Sequence, residues 1–177
     1  RTGSELAAML SWAFEQTGPV AIRYPRGSAG VEHLEPHFEP GTPIPASIVK
    51  NGHDAVILAI GPMVEVALEA ARQLELECSC GVVNIRSIKP LDGSLLRRLA
   101  SNKKCVLTLE DHALAGGFGS SILELFREEQ GIRVECIGYP DTFVPQGSIQ
   151  RLHDEYGLSV QHVVQTIRKL LPGRPLK

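Results

Sequence analysis

The sequence lacks long apolar runs and a strong excess of charge of either sign. No stretch approaches the roughly 18 consecutive apolar residues that a membrane-spanning helix needs, and Arg1-Thr-Gly-Ser-Glu5 lacks the basic and apolar regions of a signal peptide. The formal net charge is -2 over 177 residues, without a run rich in lysine or arginine. These absences argue against a membrane and against nucleic acid as partners. They predict a cytoplasmic chain.

Several motifs that would identify a chemistry are also missing. The sequence contains no Gly-x-x-x-x-Gly-Lys-Ser/Thr loop, and no Gly-x-Gly-x-x-Gly follows a predicted strand. Nucleotide binding is therefore unsupported. A Gly-x-Ser-x-Gly elbow is absent as well, so the sequence offers no hydrolase nucleophile.

Cysteine is scarce, and its spacing does not indicate a metal or redox motif. None of the four cysteines pairs with another as Cys-x-x-Cys, so we expect all of them to be reduced. Cys105 and Cys136 lie in apolar runs, where a buried thiol behaves as a small hydrophobic group. Cys78 and Cys80 lie in a short turn and are expected to be partly exposed. The only charged residues near them in sequence are acidic and would raise the pKa of a thiol, which argues against a catalytic cysteine.

The pattern that is present is an alternation of apolar runs with amphipathic segments. It predicts a mainly parallel five-stranded sheet covered by helices on both sides, a three-layer αβα arrangement of the α/β class. The predicted strands are 46–50, 55–60, 81–86, 105–112 and 134–138. The predicted helices are 62–76, a segment that begins at Asp92, 117–129, 148–156 and a segment that follows Ser159.

The first 45 residues follow a different pattern. We predict a helix with Ser4 as its N-cap, closed by Gly18-Pro19, and then a strand over 20–24. One helix and one strand cannot bury their apolar faces alone, so the segment either joins the later sheet or ends a domain whose body lies elsewhere. We favour the second interpretation. The predicted domains are 1–27, a linker over 28–45 that is rich in Gly, Pro, Ser, His and Glu, and 46–177.

The stretch Cys105–His112, followed by Gly116-Gly-Phe-Gly-Ser120, is the centre of the pattern. It predicts a buried strand, a polar loop and the start of a helix at the carboxyl edge of the sheet. Loops at this edge carry polar groups, and helix N-termini there present amide hydrogens. The glycines fit a ligand or partner site, and they equally fit close packing of strand and helix with no ligand.

Five segments, taken in order, resemble the transketolase family of thiamine-diphosphate enzymes. The family resemblance covers nearly the whole chain, and the last segment favours the members that condense pyruvate with glyceraldehyde 3-phosphate. The segments are Pro19-Val-Ala-Ile-Arg-Tyr-Pro-Arg-Gly27, Ala59-Ile-Gly-Pro-Met63, Ile88-Lys-Pro-Leu-Asp92, Leu107-Thr-Leu-Glu-Asp-His112 with Gly116-Gly-x-Gly-Ser120, and Gly138-Tyr-Pro-Asp-x-Phe-Val-Pro-Gln-Gly147.

The resemblance implies a C-terminal domain preceded by the end of a pyrimidine-binding domain. It also implies thiamine diphosphate and Mg²⁺ as cofactors, bound by segments absent from this chain, so the chain alone is expected to be inactive and to serve structure and dimerisation. The partners implied are the other domains of the same polypeptide, a second copy in a homodimer, and the substrates pyruvate and glyceraldehyde 3-phosphate. The product would supply isoprenoid precursors, thiamine and pyridoxal. The alternatives are a 2-oxoacid dehydrogenase β subunit and a stand-alone dimerisation module.

The same resemblance implies a role for a few residues. Arg26 would bind the phosphate of the aldehyde substrate, with Arg23 as the weaker candidate; a planar guanidinium group suits a phosphate. No residue of the chain is assigned to catalysis or to a metal. The candidates for a loop in a subunit contact are Glu110, Asp111, His112, Gly116 and Gly117.

Overall fold

The computed structural model describes residues 1–25, 27, 36–101 and 105–171, and these form six helices and five strands. In chain order they are α1 (Gly3–Phe14), β1 (Ser47–Lys50), β2 (Ala55–Ala59), α2 (Met63–Gln73), β3 (Cys80–Asn84), α3 (Gly93–Ala100), β4 (Cys105–Ala113), α4 (Phe118–Leu125), β5 (Arg133–Tyr139), α5 (Ile149–Glu155) and α6 (Val160–Leu170).

The five strands form one sheet in the order β1-β3-β2-β4-β5. The pairs β3·β2, β2·β4 and β4·β5 are parallel, and only β1 runs antiparallel to its neighbour. Since β2 and β3 are buried on both faces, their continuous apolar runs lie in the interior of the sheet. The predicted α/β class and the mainly parallel five-stranded sheet are confirmed.

Each face of the sheet packs against its own pair of helices. In β2, Ile57 points to a core completed by α2 and α6, whereas Leu58 points to a second core completed by α3 and α4. This alternation follows from the two-residue period of a strand. The helices therefore leave the carboxyl ends of β2, β3 and β4 free to carry polar groups.

The N-terminal segment differs from the prediction in two ways. The helix begins two residues earlier than expected because Thr2, not Ser4, is the N-cap, and its side chain accepts the Glu5 amide. The predicted strand over 20–24 is wrong: these residues have no strand conformation and pair with none of the five strands. A strand needs a hydrogen-bonded neighbour, and no described residue of this chain supplies one here.

The cysteines also correct the expectation in part. Cys78 and Cys80 are 8% and 1% exposed rather than partly exposed, because both side chains face the core of α2 and α6. Cys105 is buried as predicted, whereas Cys136 is half-buried because β5 is the edge of the sheet. None of the four cysteines forms a disulfide in this structure. Among the described helices, none has the length and apolar content to cross a bilayer.

Candidate functional site at the carboxyl edge of the sheet

Glu110 is a buried carboxylate at the point where β4 reaches the edge of the sheet. Glu110 is only 1% exposed to solvent. Its Oε2 accepts the amide of Phe118 and its Oε1 accepts the amide of Gly119, both at 2.7 Å. These are the first amides of α4, which otherwise have no intrahelical partner. A carboxylate in this position also complements the positive end of the helix.

The glycines around this carboxylate allow the close approach. A Cβ at Gly117 would lie 2.3 Å from the carbonyl oxygen of Ala113 and 2.5 Å from Glu110 Oε2. A Cβ at Gly138, on β5, would lie 3.0 Å from Glu110 Cγ. Gly116 has a φ of 69°, which favours glycine in the turn itself. Packing therefore accounts for these glycines without a ligand.

Asp111 lies on the other side of the strand and is only partly buried. Its Oδ1 is 3.7 Å from Nε2 of His153 on α5, and that buried nitrogen makes no hydrogen bond to any described residue. Burial raises the pKa of Tyr139, and the charge and hydrogen bond of Asp111 raise it further. The ring of Tyr139 contacts Tyr156 at a centroid distance of 5.3 Å. This polar group ties β4, β5 and α5 together.

His112 is the exposed member of the acidic and imidazole cluster. Its Nδ1 is 3.0 Å from the carbonyl oxygen of Ala113, and the rest of its ring faces solvent. The following turn is closed by Ser120, whose hydroxyl donates to the carbonyl of Leu114 at 2.8 Å. His112 is thus available to a partner, whereas Glu110 is not. Both oxygens of Glu110 are already bound to amides, so it is not placed to exchange protons with a bound substrate.

The structure brings Arg23 to this cluster from 88 residues away. Its Nη2 donates to the backbone carbonyl of Asp111 at 2.5 Å. This contact uses one of the five N–H donors of the guanidinium group. The predicted contact of Arg23 with a substrate phosphate stays a prediction. Arg26 lies outside the described residues.

A second polar cluster, at the end of β3, was not predicted. Glu5 of α1 is 4% exposed, and its Oε1 accepts Asn84 Nδ2 at 2.8 Å and Arg86 Nε at 2.5 Å. Burial alone would raise the pKa of Glu5, but the amino terminus of Arg1 and the Arg86 guanidinium together lower it. In the sequence, only Asn84 indicated this cluster, because it is a polar residue at the end of a buried apolar run.

These contacts place the N-terminal segment across the carboxyl edge. Glu5 binds at the end of β3, and Arg23 binds at the end of β4. β2 lies between those two strands. The site is therefore an edge at which a segment from outside the sheet is held by charged side chains. Within the ranges that the structure describes, no group of three or more His, Cys, Asp or Glu residues is arranged to hold a metal ion.

The fold and this edge define a class of protein. The family model described as the C-terminal domain of transketolase matches residues 45–163. The chain therefore belongs to the transketolase C-terminal domain family, as the sequence segments predicted.

Two curated relatives share one name. The 1-deoxy-D-xylulose-5-phosphate synthase of Heliobacterium modesticaldum is 43% identical over 94% of the chain, and that of Chlorobium phaeovibrioides is 41% identical over 97%. The aligned region makes up 26% and 28% of these relatives. The chain thus spans about a quarter of the length of the curated relatives it matches.

Two solved structures resemble the chain. A split-gene transketolase, described as an inactive β4 tetramer, has a TM-score of 0.71 and 37% identity, and the match covers 84% of this chain and 49% of that one. Transketolase from Leishmania mexicana has a TM-score of 0.54 and 22% identity, with 75% of this chain and 19% of that one covered. The second likeness shows the fold alone.

Proposed function

We propose that the chain is the C-terminal part of a thiamine-diphosphate-dependent 1-deoxy-D-xylulose-5-phosphate synthase. The whole enzyme would condense pyruvate with glyceraldehyde 3-phosphate and release carbon dioxide. The observation that carries the proposal is the identity of 43% and 41% to two enzymes of that name over nearly the entire chain. The product would serve isoprenoid precursor, thiamine and pyridoxal synthesis in the cytoplasm.

The chain's own part in this function is structural. Thiamine diphosphate supplies the electron sink for the carbanion chemistry when it is bound. We assign no described residue to it or to Mg²⁺. We assign cofactor binding to segments of the longer polypeptide. This chain would hold those segments and a second subunit in place.

The N-terminal segment fits the end of a preceding pyrimidine-binding domain. In α1, Leu10 and Phe14 are 43% and 89% exposed, and Tyr24 is 64% exposed. Several large apolar side chains exposed on one segment favour a surface that another domain covers. The absence of a strand over 20–24 supports the same proposal, because a strand forms only beside a neighbour.

Self-association is the second structural role. The split-gene relative is described as a tetramer, which supports an oligomer for this family member too. We propose a homodimer in which the loop from Glu110 to Gly117 contributes to the contact. Within that loop, the exposed His112 and the partly exposed Asp111 are the side chains available to a partner.

The experiment is an assay of the protein encoded by the complete reading frame. With pyruvate, glyceraldehyde 3-phosphate, thiamine diphosphate and Mg²⁺, we expect formation of 1-deoxy-D-xylulose 5-phosphate, and none from the 177-residue chain alone. A complete protein that binds the cofactor yet forms no product would contradict the proposal. A start codon just upstream of Arg1 would instead support the stand-alone module.

The phosphate contact has its own test in the same assay. We expect Arg26→Ala to raise the KM for glyceraldehyde 3-phosphate at least about 10-fold while leaving that for pyruvate unchanged, because a lost charge-assisted contact is worth more than about 1.4 kcal/mol. Arg127→Ala, at an exposed position after α4, is the matched control. Unchanged aldehyde kinetics in the Arg26 variant would remove this assignment.

A further inference from the structure

Two cysteines at the amino end of β3, opposite the carboxyl edge, lie in direct contact. The Sγ atoms of Cys78 and Cys80 are 3.4 Å apart. Cys78 retains 8% exposure, and Cys80, at 1%, lies beneath it. Cys105, at the start of β4, is fully buried. The carboxyl-edge site and the proposed function use none of these thiols.

Ser79 fixes the direction in which both thiols point. Its carbonyl oxygen accepts the amides of His53 and Asp54 at 3.0 and 2.9 Å, and its own amide donates to Asp54 Oδ2 at 2.9 Å. The residue between the two cysteines is therefore held against the loop before β2. Both thiols face the core of α2 and α6, and their sulfur atoms are in contact.

A cation comes to this site from the far end of the chain. Arg168 of α6 binds the carboxylate of Glu77 through Nε at 2.8 Å and Nη2 at 2.5 Å. The hydrogen bond to Glu77 is the main reason that the pKa of Arg168 is raised, and the charge of Cys78 contributes to the same shift. The Arg168 guanidinium is thus held beside the cysteine pair through Glu77, the residue that precedes Cys78. From sequence alone, only the neighbouring acidic residues were apparent.

The two thiols differ in their environments. The hydrogen bond with Cys78 is the largest cause that raises the pKa of Cys80, and burial raises it further. Cys78 retains more exposure than Cys80, so it is the thiol that an oxidant reaches first. A thiol with residual access to solvent and a second thiol in contact behind it is an arrangement from which disulfides form.

We propose that Cys78 and Cys80 form a redox-active dithiol that a hydroperoxide oxidises to an intramolecular disulfide. In the first step the Cys78 thiolate attacks a peroxide oxygen, the O–O bond breaks, and hydroxide takes up a proton and leaves as water, which gives a sulfenic acid. Cys80 then attacks that sulfur, the S–S bond forms, and a second water leaves with the Cys80 proton. Two thiols lose two electrons and two protons, and hydrogen peroxide becomes two molecules of water.

The backbone can accommodate this bond. Two residues of chain span at most about 7 Å between Cα atoms, and disulfides join Cα atoms about 4.4–6.8 Å apart. The sulfurs already point at each other, so closure from 3.4 Å requires movement of the side chains and little of the strand. The proposal does not depend on the enzymatic activity assigned above.

The test is oxidation of the folded, fully reduced chain with hydrogen peroxide, followed by alkylation in denaturant and peptide mass mapping. We expect a species lighter by two hydrogen atoms, with the bond mapped to the peptide that holds Cys78 and Cys80, while Cys105 and Cys136 remain alkylated. Cys80→Ser is expected to stop at a sulfenic acid on Cys78, trapped by dimedone. Circular dichroism checks that this variant is folded.

Two further variants keep the proposal falsifiable even if Cys80→Ser does not fold. Cys105→Ser removes another thiol whose pKa burial raises, to about 11, and should leave disulfide formation intact. Cys136→Ser removes the half-buried thiol of β5 and should likewise leave disulfide formation intact. The proposal is overturned if both thiols stay reduced in the wild-type chain, or if oxidation occurs at Cys105 or Cys136 instead.

Discussion

Glu110 shows how a residue in a polar cluster of the sequence can be buried and structural in the fold. Its carboxylate is buried, and its partners are two backbone amides rather than a cation. The two carboxylate oxygens accept from these amides and so satisfy two of the donors that the start of α4 leaves open. The Glu-Asp-His cluster is therefore not one continuous site. Glu110 is buried, whereas His112 is exposed to solvent.

Replacing this carboxylate should destabilise the chain. We expect Glu110→Ala to lower the free energy of unfolding by about 3 kcal/mol, because two buried amides lose their acceptors and each unsatisfied group costs about 1–3 kcal/mol. Urea denaturation followed by circular dichroism measures the change. Glu124→Ala, at an exposed position of the same helix, should change it by less than about 0.5 kcal/mol. Equal effects of the two variants would contradict the capping role.

The lowered pKa of Glu5 predicts how the stability of the chain depends on pH. Its pKa is lowered below the ordinary value of 4.5 in the folded chain, so its contribution to stability is present above that value and is lost as the pH falls through the folded pKa. We expect Glu5→Gln to cost about 2 kcal/mol at neutral pH and to lose less stability than wild type below about pH 4.5. Denaturant titrations at several pH values measure both effects.

The control for this prediction is Glu15→Gln, at an exposed position just after α1. The stability of this variant should change with pH in the same way as that of the wild type. If Glu5→Gln and wild type lose stability in parallel as the pH falls, the ion pair between Glu5 and Arg86 does not contribute as inferred.

At the scale of the element, the junction between β4 and α4 depends on glycine. A side chain at Gly117 would meet backbone at 2.3 Å and the Glu110 carboxylate at 2.5 Å. We expect Gly117→Ala to destabilise the chain by about 2 kcal/mol or more, since the strand and the helix cannot separate without breaking the cap. The thermal midpoint should fall accordingly.

Gly18→Ala is the matched control, because a Cβ there meets nothing within 4 Å. Its thermal midpoint should stay near that of wild type. A Gly117 variant as stable as the Gly18 variant would show that the junction has room for a side chain, and the packing explanation of the glycine turn would fail.

Elements were predictable where both faces of a segment are buried. The apolar runs of β2 and β3 have no other place in a chain of this composition than the middle of a sheet. The segment over 20–24 has an equally good strand pattern, yet it lacks a neighbour and stays irregular. Pattern therefore identifies the capacity to form a strand, and the partner decides whether the strand forms.

At the scale of the whole molecule, the contacts that a sequence pattern does not reveal are those between distant charged residues. Arg23 reaches Asp111 across 88 positions, and Arg168 reaches Glu77 across 91. No local period relates such pairs, because the fold alone brings them together. For the same reason the family segments predicted the domain, whereas the Glu5 cluster and the cation near Cys78 appeared only in three dimensions.

The subunit contact is the last prediction, and it concerns the molecule as an assembly. If the loop around the exposed His112 lies in a homodimer interface, His112→Glu adds a negative charge beside Asp111 and should weaken self-association about 10-fold or more, the equivalent of about 1.4 kcal/mol. Sedimentation velocity over a range of concentrations measures the dissociation constant. His53→Glu makes the same change at an exposed position at the opposite edge of the sheet and should leave the dissociation constant unchanged. A dimer that tolerates both substitutions equally would place the contact elsewhere, and the loop from Glu110 to Gly117 would then serve only to join β4 to α4.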